Sequence, residues 1–183
     1  SVWAGIRISL GIFGHINIGG TVHIHLGTLN SPTPPPPPPI AQVSSGTVTV
    51  NGQDFGSGTL VLNLGQFATD DRTNYPPESD ETYTITIKSV NGDGSEDVLV
   101  TAPGIYGQAV EYDNVKEIVV PNAGTSNTTI QIDNTITIPV VVFAGSGTNQ
   151  FNLGGGTATV NGTSGNDTVF GGNGAVTFNA GSG

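Results

Sequence analysis

The sequence predicts an all-β chain in four parts, and three observations predict it. The 28 glycines and 12 prolines interrupt the 183 residues so often that no stretch sustains an apolar period of 3.6, which removes helices. Within residues 1–30, positions 2–26 alternate an apolar face with a mostly polar one at period two, the pattern of strands that bury one face. Residues 144–183 repeat every nine residues, the pattern of a parallel β-roll, a small solenoid. Between these ends lie a polyproline linker, 31–42, and a run of short strands, 43–143, expected to form a β-sandwich.

In the N-terminal strand segment, every even position from 2 to 26 except Gly14 and Gly20 is apolar. Ile6, Ile8, Leu10, Ile16, Ile18, Val22, Ile24 and Leu26 form the main part of that face and are the candidate assembly residues. A β-hairpin here must pair residues of one face, so its loop is 19–21 rather than the glycine pair alone. That register sets His15 opposite His25 and Asn17 opposite His23. Three imidazoles on one face are candidate ligands for zinc or copper. Alternation alone also places polar residues there, and no carboxylate stands near to orient the rings, so solvent-facing or interface histidines are the plainer reading. Two or three short strands are marginally stable by themselves. The segment is therefore expected to be completed from outside itself, by a neighbouring subunit or by an upstream domain to which it belongs.

Residues 31–39 read SPTPPPPPP. Proline donates no ladder hydrogen bond and favours polyproline II, so the six consecutive prolines act as a stiff spacer of about 19 Å. A proline-rich ligand for an aromatic groove is the alternative.

Strands are expected in the middle at 47–50, 59–64, 82–88, 98–101, 109–112, 117–120, 129–132 and 135–143. Asn51-Gly52, Asn91-Gly92-Asp93-Gly94 and Pro103-Gly104 mark turns between them. Pro139 inside the last run predicts an edge strand or a bulge. The acidic stretch NGDGSED, 91–97, spaces oxygen ligands like part of a calcium loop but lacks a distal bidentate Glu, so a hairpin with an acidic tip is the simpler reading. Asp70, Asp71, Glu78, Asp80 and Glu81 fall in one polar loop around Pro76-Pro77, either solvated or able to take calcium.

After Ala144 the units are GSGTNQFNL, GGGTATVNG, TSGNDTVFG, GNGAVTFNA and a final GSG. Glycine holds the third place of each, at 147, 156, 165, 174 and 183, and an apolar residue follows four places later, at Phe151, Val160, Val169 and Phe178. The expectation is a tight turn at each glycine and an inward side chain at each apolar position. The stretch GTSGNDTVF, 162–170, resembles the haemolysin-type calcium-binding (RTX) nonapeptide repeat, with Gly165, Asp167 and Val169 on the motif's Gly, Asp and apolar positions. The resemblance covers 144–183 alone, and Asn149, Ala158 and Val176 replace the motif's Asp in the other units. It implies that alternate units share a side, stacking Asn149 with Asp167, and it makes calcium the candidate cofactor on that pair. A metal-free roll held by packing and ladders is the alternative. The repeat stops three residues into its fifth unit, where a continuation or another molecule is expected to cover the last rung.

Four Lys and Arg against 14 Asp and Glu give a formal charge of -10, which opposes nucleic acid and anionic lipid. The absence of cysteine removes disulfides and thiolate metal sites. No apolar run is long enough to form a transmembrane segment, and no nucleophile–base, zinc-protease or phosphate-loop motif occurs, so no enzyme is expected. The chain begins at Ser1 without Met, which fits a processed protein or part of a longer one. The expected function is a structural component of an extracellular or cell-surface β-rich assembly: a fibre, surface layer or adhesin stalk. Its expected partners are copies of itself, as a homo-oligomer or polymer, or other surface proteins. The alternative is the non-catalytic C-terminal part of a secreted RTX-type enzyme. A carbohydrate-binding sandwich would need an aromatic platform that one Trp and four Tyr scarcely supply.

Overall fold

The computed structural model describes residues 40–64, 68, 80–122 and 124–183, all within the unit that begins at Pro36. The strand segment 1–30, with His15, His23, His25 and the eight assembly residues, lies outside the described residues. So do the linker up to Pro39 and Asp70, Asp71 and Glu78.

The described residues are all-β, without an α-helix. In chain order the strands are β1 (Ala41–Val43), β2 (Val48–Val50), β3 (Gln53–Phe55), β4 (Thr59–Leu62), β5 (Glu81–Val90), β6 (Glu96–Ala102) and β7 (Tyr106–Val115). They continue as β8 (Glu117–Val120), β9 (Thr128–Ile132), β10 (Val140–Phe143), β11 (Thr148–Asn152), β12 (Ala158–Asn161), β13 (Asn166–Phe170) and β14 (Val176–Asn179). One six-stranded sheet has the order β1-β4-β8-β10-β12-β14, and a second has β13-β11-β9-β5-β6-β7. Side chains of both sheets share one core, a sandwich-like arrangement.

From β8 onward consecutive strands fall alternately in the two sheets, and each pairs in parallel with the strand two places on. Val140 pairs with Ala158 and Ala158 with Val176, while Asn149 pairs with Asp167, so each coil of two strands takes 18 residues. Two nine-residue units thus make one coil. Apolar side chains line up across the ladders: Leu60, Ile118, Val140 and Ala158 in the first sheet, and Tyr83, Ile130 and Phe151 in the second, all buried. A fully buried side chain of this size contributes on the order of 1.5–3 kcal/mol relative to exposure.

The seam expected at residue 143 falls inside these ladders. β10 pairs with β8 and with β12, and β11 with β9 and β13. The core likewise runs from Ile40 to Val160 without a break. The physical reason is that the inward positions stay apolar on both sides of residue 143.

Several strands coincide closely with the expected runs, and the differences have local causes. The run expected at 135–143 is a strand only from Val140, because Pro139 cannot donate to a ladder. Its carbonyl instead accepts the N–H of Ile118 at 2.9 Å. β10 is then a central strand, not an edge. β1 and β3 were not expected: AQV is three residues long, and QDF is mostly polar. β3 exists because Asn51 and Gly52 both take positive φ, 50° and 81°, and close a two-residue hairpin with Val50 opposite Gln53. The hairpin carries Val50 and Phe55 onto Val61, Val119 and Val141, covering the outer face of the first sheet.

The repeated glycines serve close approach, not a left-handed turn. Gly147, Gly156, Gly165 and Gly174 are not among the positive-φ glycines. A Cβ at any of the four would come closer than 3.0 Å to a backbone carbonyl of the preceding coil: Ser126, Ile138, Gly147 and Gly156 respectively. Gly165→Ala is therefore expected to lower stability by about 1–3 kcal/mol through overpacking. Gly92→Ala, where nothing lies within 4 Å, serves as the control. Urea unfolding of the two variants checks this, and equal midpoints would contradict it.

Candidate metal centre and sheet ends

One row of inward positions at the start of the second sheet's strands is polar. Glu81 pairs with Thr128, and Asn149 with Asp167, with Thr128 and Asn149 adjacent across the β9–β11 ladder. Glu81, Thr128 and Asn149 are buried. The Asn149 amide joins three coils: its Oδ1 accepts the Thr128 N–H at 3.1 Å and its Nδ2 donates to Asp167 Oδ1 at 2.7 Å. The Gly145 and Gly147 carbonyls lie 3.3 and 3.4 Å from the same nitrogen, and Thr163 Oγ1 donates to the Gly145 carbonyl at 2.9 Å. Asn149 and Asp167 therefore do meet across neighbouring coils.

As a calcium site the donor set is thin. Asp167 is its one carboxylate, and Asn149 already spends its oxygen on Thr128 and aims its nitrogen where an ion would sit. Calcium prefers six to eight oxygens. Among the described residues no three His, Asp or Glu side chains converge as a metal site. These residues fit a hydrogen-bonded ladder better than an ion cage. Asn149→Ala would strand the buried Thr128 N–H. It is expected to cost about 1–3 kcal/mol, measurable by denaturant unfolding; a change within error would contradict the ladder's role.

The acidic stretch 91–97 closes on itself as a hairpin. The Asn91 N–H reaches the Ser95 carbonyl at 2.8 Å, and Asp93 Oδ1 accepts both the N–H and the hydroxyl of Ser95 at 3.1 and 2.6 Å. These bonds, the hydroxyl first, draw the Asp93 carboxyl below its usual range. Glu96 departs from the expected acidic tip. It is fully buried, and its Oε1 accepts the N–H and hydroxyl of Thr137 at 2.8 and 2.7 Å. The signal was present in the alternation, because Glu96 shares a face with Val98, Val100 and Ala102. Glu81, expected in a solvated loop, likewise opens β5 as a buried residue. Its neighbour Asp80 accepts the Asn127 N–H at 3.1 Å.

Asp97 sits at a junction of three segments. Its carboxylate accepts the Asn114 N–H at 2.8 Å, the Asn91 amide at 2.9 Å and the Ser89 hydroxyl at 2.8 Å. The Asn114 N–H, then Asn91 and Ser89, hold its pKa at about 2. A depressed folded-state pKa adds stability above the unfolded value, about 4, and that stability disappears as pH falls towards 2. Asp97→Asn is expected to be less stable than the native chain at neutral pH, with the gap closing near pH 2. Thermal unfolding across that range checks it, and a pH-independent gap would contradict it.

The two ends of the paired sheets differ. At one end β1 lies antiparallel on β4, and the antiparallel hairpin β6–β7 extends the second sheet beyond β5. The Ala41 N–H donates to the Tyr112 hydroxyl at 3.1 Å, tying one sheet to the other. Desolvation there raises the Tyr112 pKa. β1 is three residues long and β7 carries Glu111 and Asp113, with Glu111 in a salt bridge to Lys88. Short and charged edges resist further pairing. At the other end β13 and β14 are terminal strands. β14 is the uncharged VTFN, and its Val176 and Phe178, in line with the buried Ala158 and Val160, are 38% and 45% exposed.

Among the described residues no helix is long and apolar enough to cross a membrane, which says nothing of strands. Comparison with known protein families, curated proteins and solved structures finds no match to this chain.

Proposed function

We propose that this chain is a non-catalytic structural component of an extracellular or cell-surface β-rich assembly, joined to its neighbours through subunit contacts. The observation that carries the reading is the contrast between the ends. One edge is shortened, charged and tied across by Tyr112, whereas at the other β14 is uncharged with Val176 and Phe178 partly exposed, and β13 carries the single acid Asp167. Unpaired, uncharged strands recruit other strands. The acidic surface adds solubility and disfavours nucleic acid as a partner.

Calcium, which the repeat resemblance implies, would rely on Asp167 for charge and on the Gly145 and Gly147 carbonyls for neutral oxygens. Sedimentation of the full chain over a wide concentration range, in calcium and in chelator, tests both parts. Particle mass is expected to rise with concentration. A mass fixed at the monomer in both buffers removes the structural reading, and indifference to calcium removes the ion.

A further inference from the structure

We propose that Asn51 is a site of spontaneous deamidation, and that the isoaspartate formed there releases the β2–β3 hairpin from the outer face of the first sheet. The reaction is intramolecular. The Gly52 backbone nitrogen attacks the Asn51 side-chain carbonyl carbon, its proton leaves with the amide group as ammonia, and a succinimide ring remains. Water then opens the ring at either carbonyl, giving aspartate or isoaspartate. No oxidant or second substrate enters the balance.

Such an attack needs an amide free to turn, a peptide nitrogen free of other bonds and room beside the glycine. Four Asn-Gly pairs occur, at 51, 91, 161 and 173, and the fold separates them. Asn51 and Gly52 are both exposed at the hairpin tip. Among the described residues nothing bonds the Asn51 amide or the Gly52 N–H, and nothing lies within 4 Å of where a Gly52 Cβ would be. The Asn91 amide, by contrast, donates to Ser95 Oγ at 3.1 Å and to Asp97 Oδ1 at 2.9 Å. Asn161 Oδ1 accepts from Asn179 Nδ2 at 2.9 Å, and the Gly162 N–H donates to the Asn179 carbonyl at 2.8 Å, so both reacting groups are engaged. Gly174 is stacked on the Gly156 carbonyl, which a Cβ would approach to 2.0 Å, and its peptide has no room to turn.

The product matters because the loop has only two residues. Isoaspartate routes the main chain through the side-chain methylene, and the turn that sets Val50 opposite Gln53 no longer fits. That turn carries Val50 and Phe55 onto Val61, Val119 and Val141, with Phe55 edge-on to Phe143 at 6.3 Å. Releasing the hairpin uncovers this apolar strip.

Ageing the full chain in mildly alkaline buffer, followed by peptide mapping that separates isoaspartate from aspartate, tests the site. Conversion at residue 51 is expected to be at least about tenfold faster than at 91, 161 or 173, and the rates are expected to converge in urea. Equal or faster conversion at any of the other positions in the native chain overturns the assignment, as does an Asn51 that stays intact. Binding of a dye for exposed apolar surface tests the consequence. It is expected to rise with isoaspartate at residue 51 and to stay flat in Asn51→Gly, which tolerates the same turn but has no side chain to cyclise. Dye binding that rises equally in Asn51→Gly, or stays flat while the native chain converts, overturns the release.

Discussion

Successive coils stack at the separation of a parallel ladder, about 4.8 Å, and much of the sequence after residue 117 answers to that distance. At the corners, where the backbone passes from one sheet to the other, the carbonyl of one coil meets the α-carbon of the next. Only a residue without a Cβ fits there, which places Gly165 over Gly147 and Gly174 over Gly156. The same stacking obliges each inward side chain to lie against its counterpart 18 residues away. Volume is therefore negotiated along rows: Val140 is followed by Ala158, and Ile130 by Phe151. A change at one rung is felt by its neighbours before it is felt elsewhere.

Stacking also explains the placement of a polar row inside an apolar core. Backbone donors and acceptors at the start of a strand are not all taken by the ladder. Asn149 has an acceptor for the Thr128 N–H and a donor for Asp167, so one neutral side chain satisfies both adjacent coils. An aspartate in its place would lose the donor and set two carboxylates face to face, which raises the cost of ionising either. Asn at 149 beside Asp at 167 thus links three coils by hydrogen bonds.

What could be read from the sequence was what repeats. Short β-rich runs between turn clusters located most of the strands between 47 and 143, Asn51-Gly52 marked a turn, and the repeat resemblance implied that Asn149 stacks with Asp167. Pairing partners were harder to see. The coil joining β8 to β12 across residue 143 begins with steps longer than 18, such as the 21 residues from Thr128 to Asn149. The first parallel pairing, Leu60 with Ile118, is interrupted by the β5–β6–β7 meander. A repeat with insertions loses its period while keeping its ladder, so residues 43–143 read as a sandwich of separate strands. The burial of Glu96 was legible in its alternation with Val98, Val100 and Ala102, but its partner was not. Its buried site depends on Thr137, 41 residues away, and no local pattern announces that partner.

The distribution of charge joins these strands of reasoning. After Asp133 the chain has a single charged side chain, Asp167, although the whole carries a formal charge of -10. Among the described residues most acids lie on or beside β5–β7, where Glu111 and Lys88 pair and Asp97 accepts three hydrogen bonds. Among the described residues the coils after β9 are therefore held by packing and backbone ladders, while the acids gather where hydroxyls, amides and Lys88 partner them.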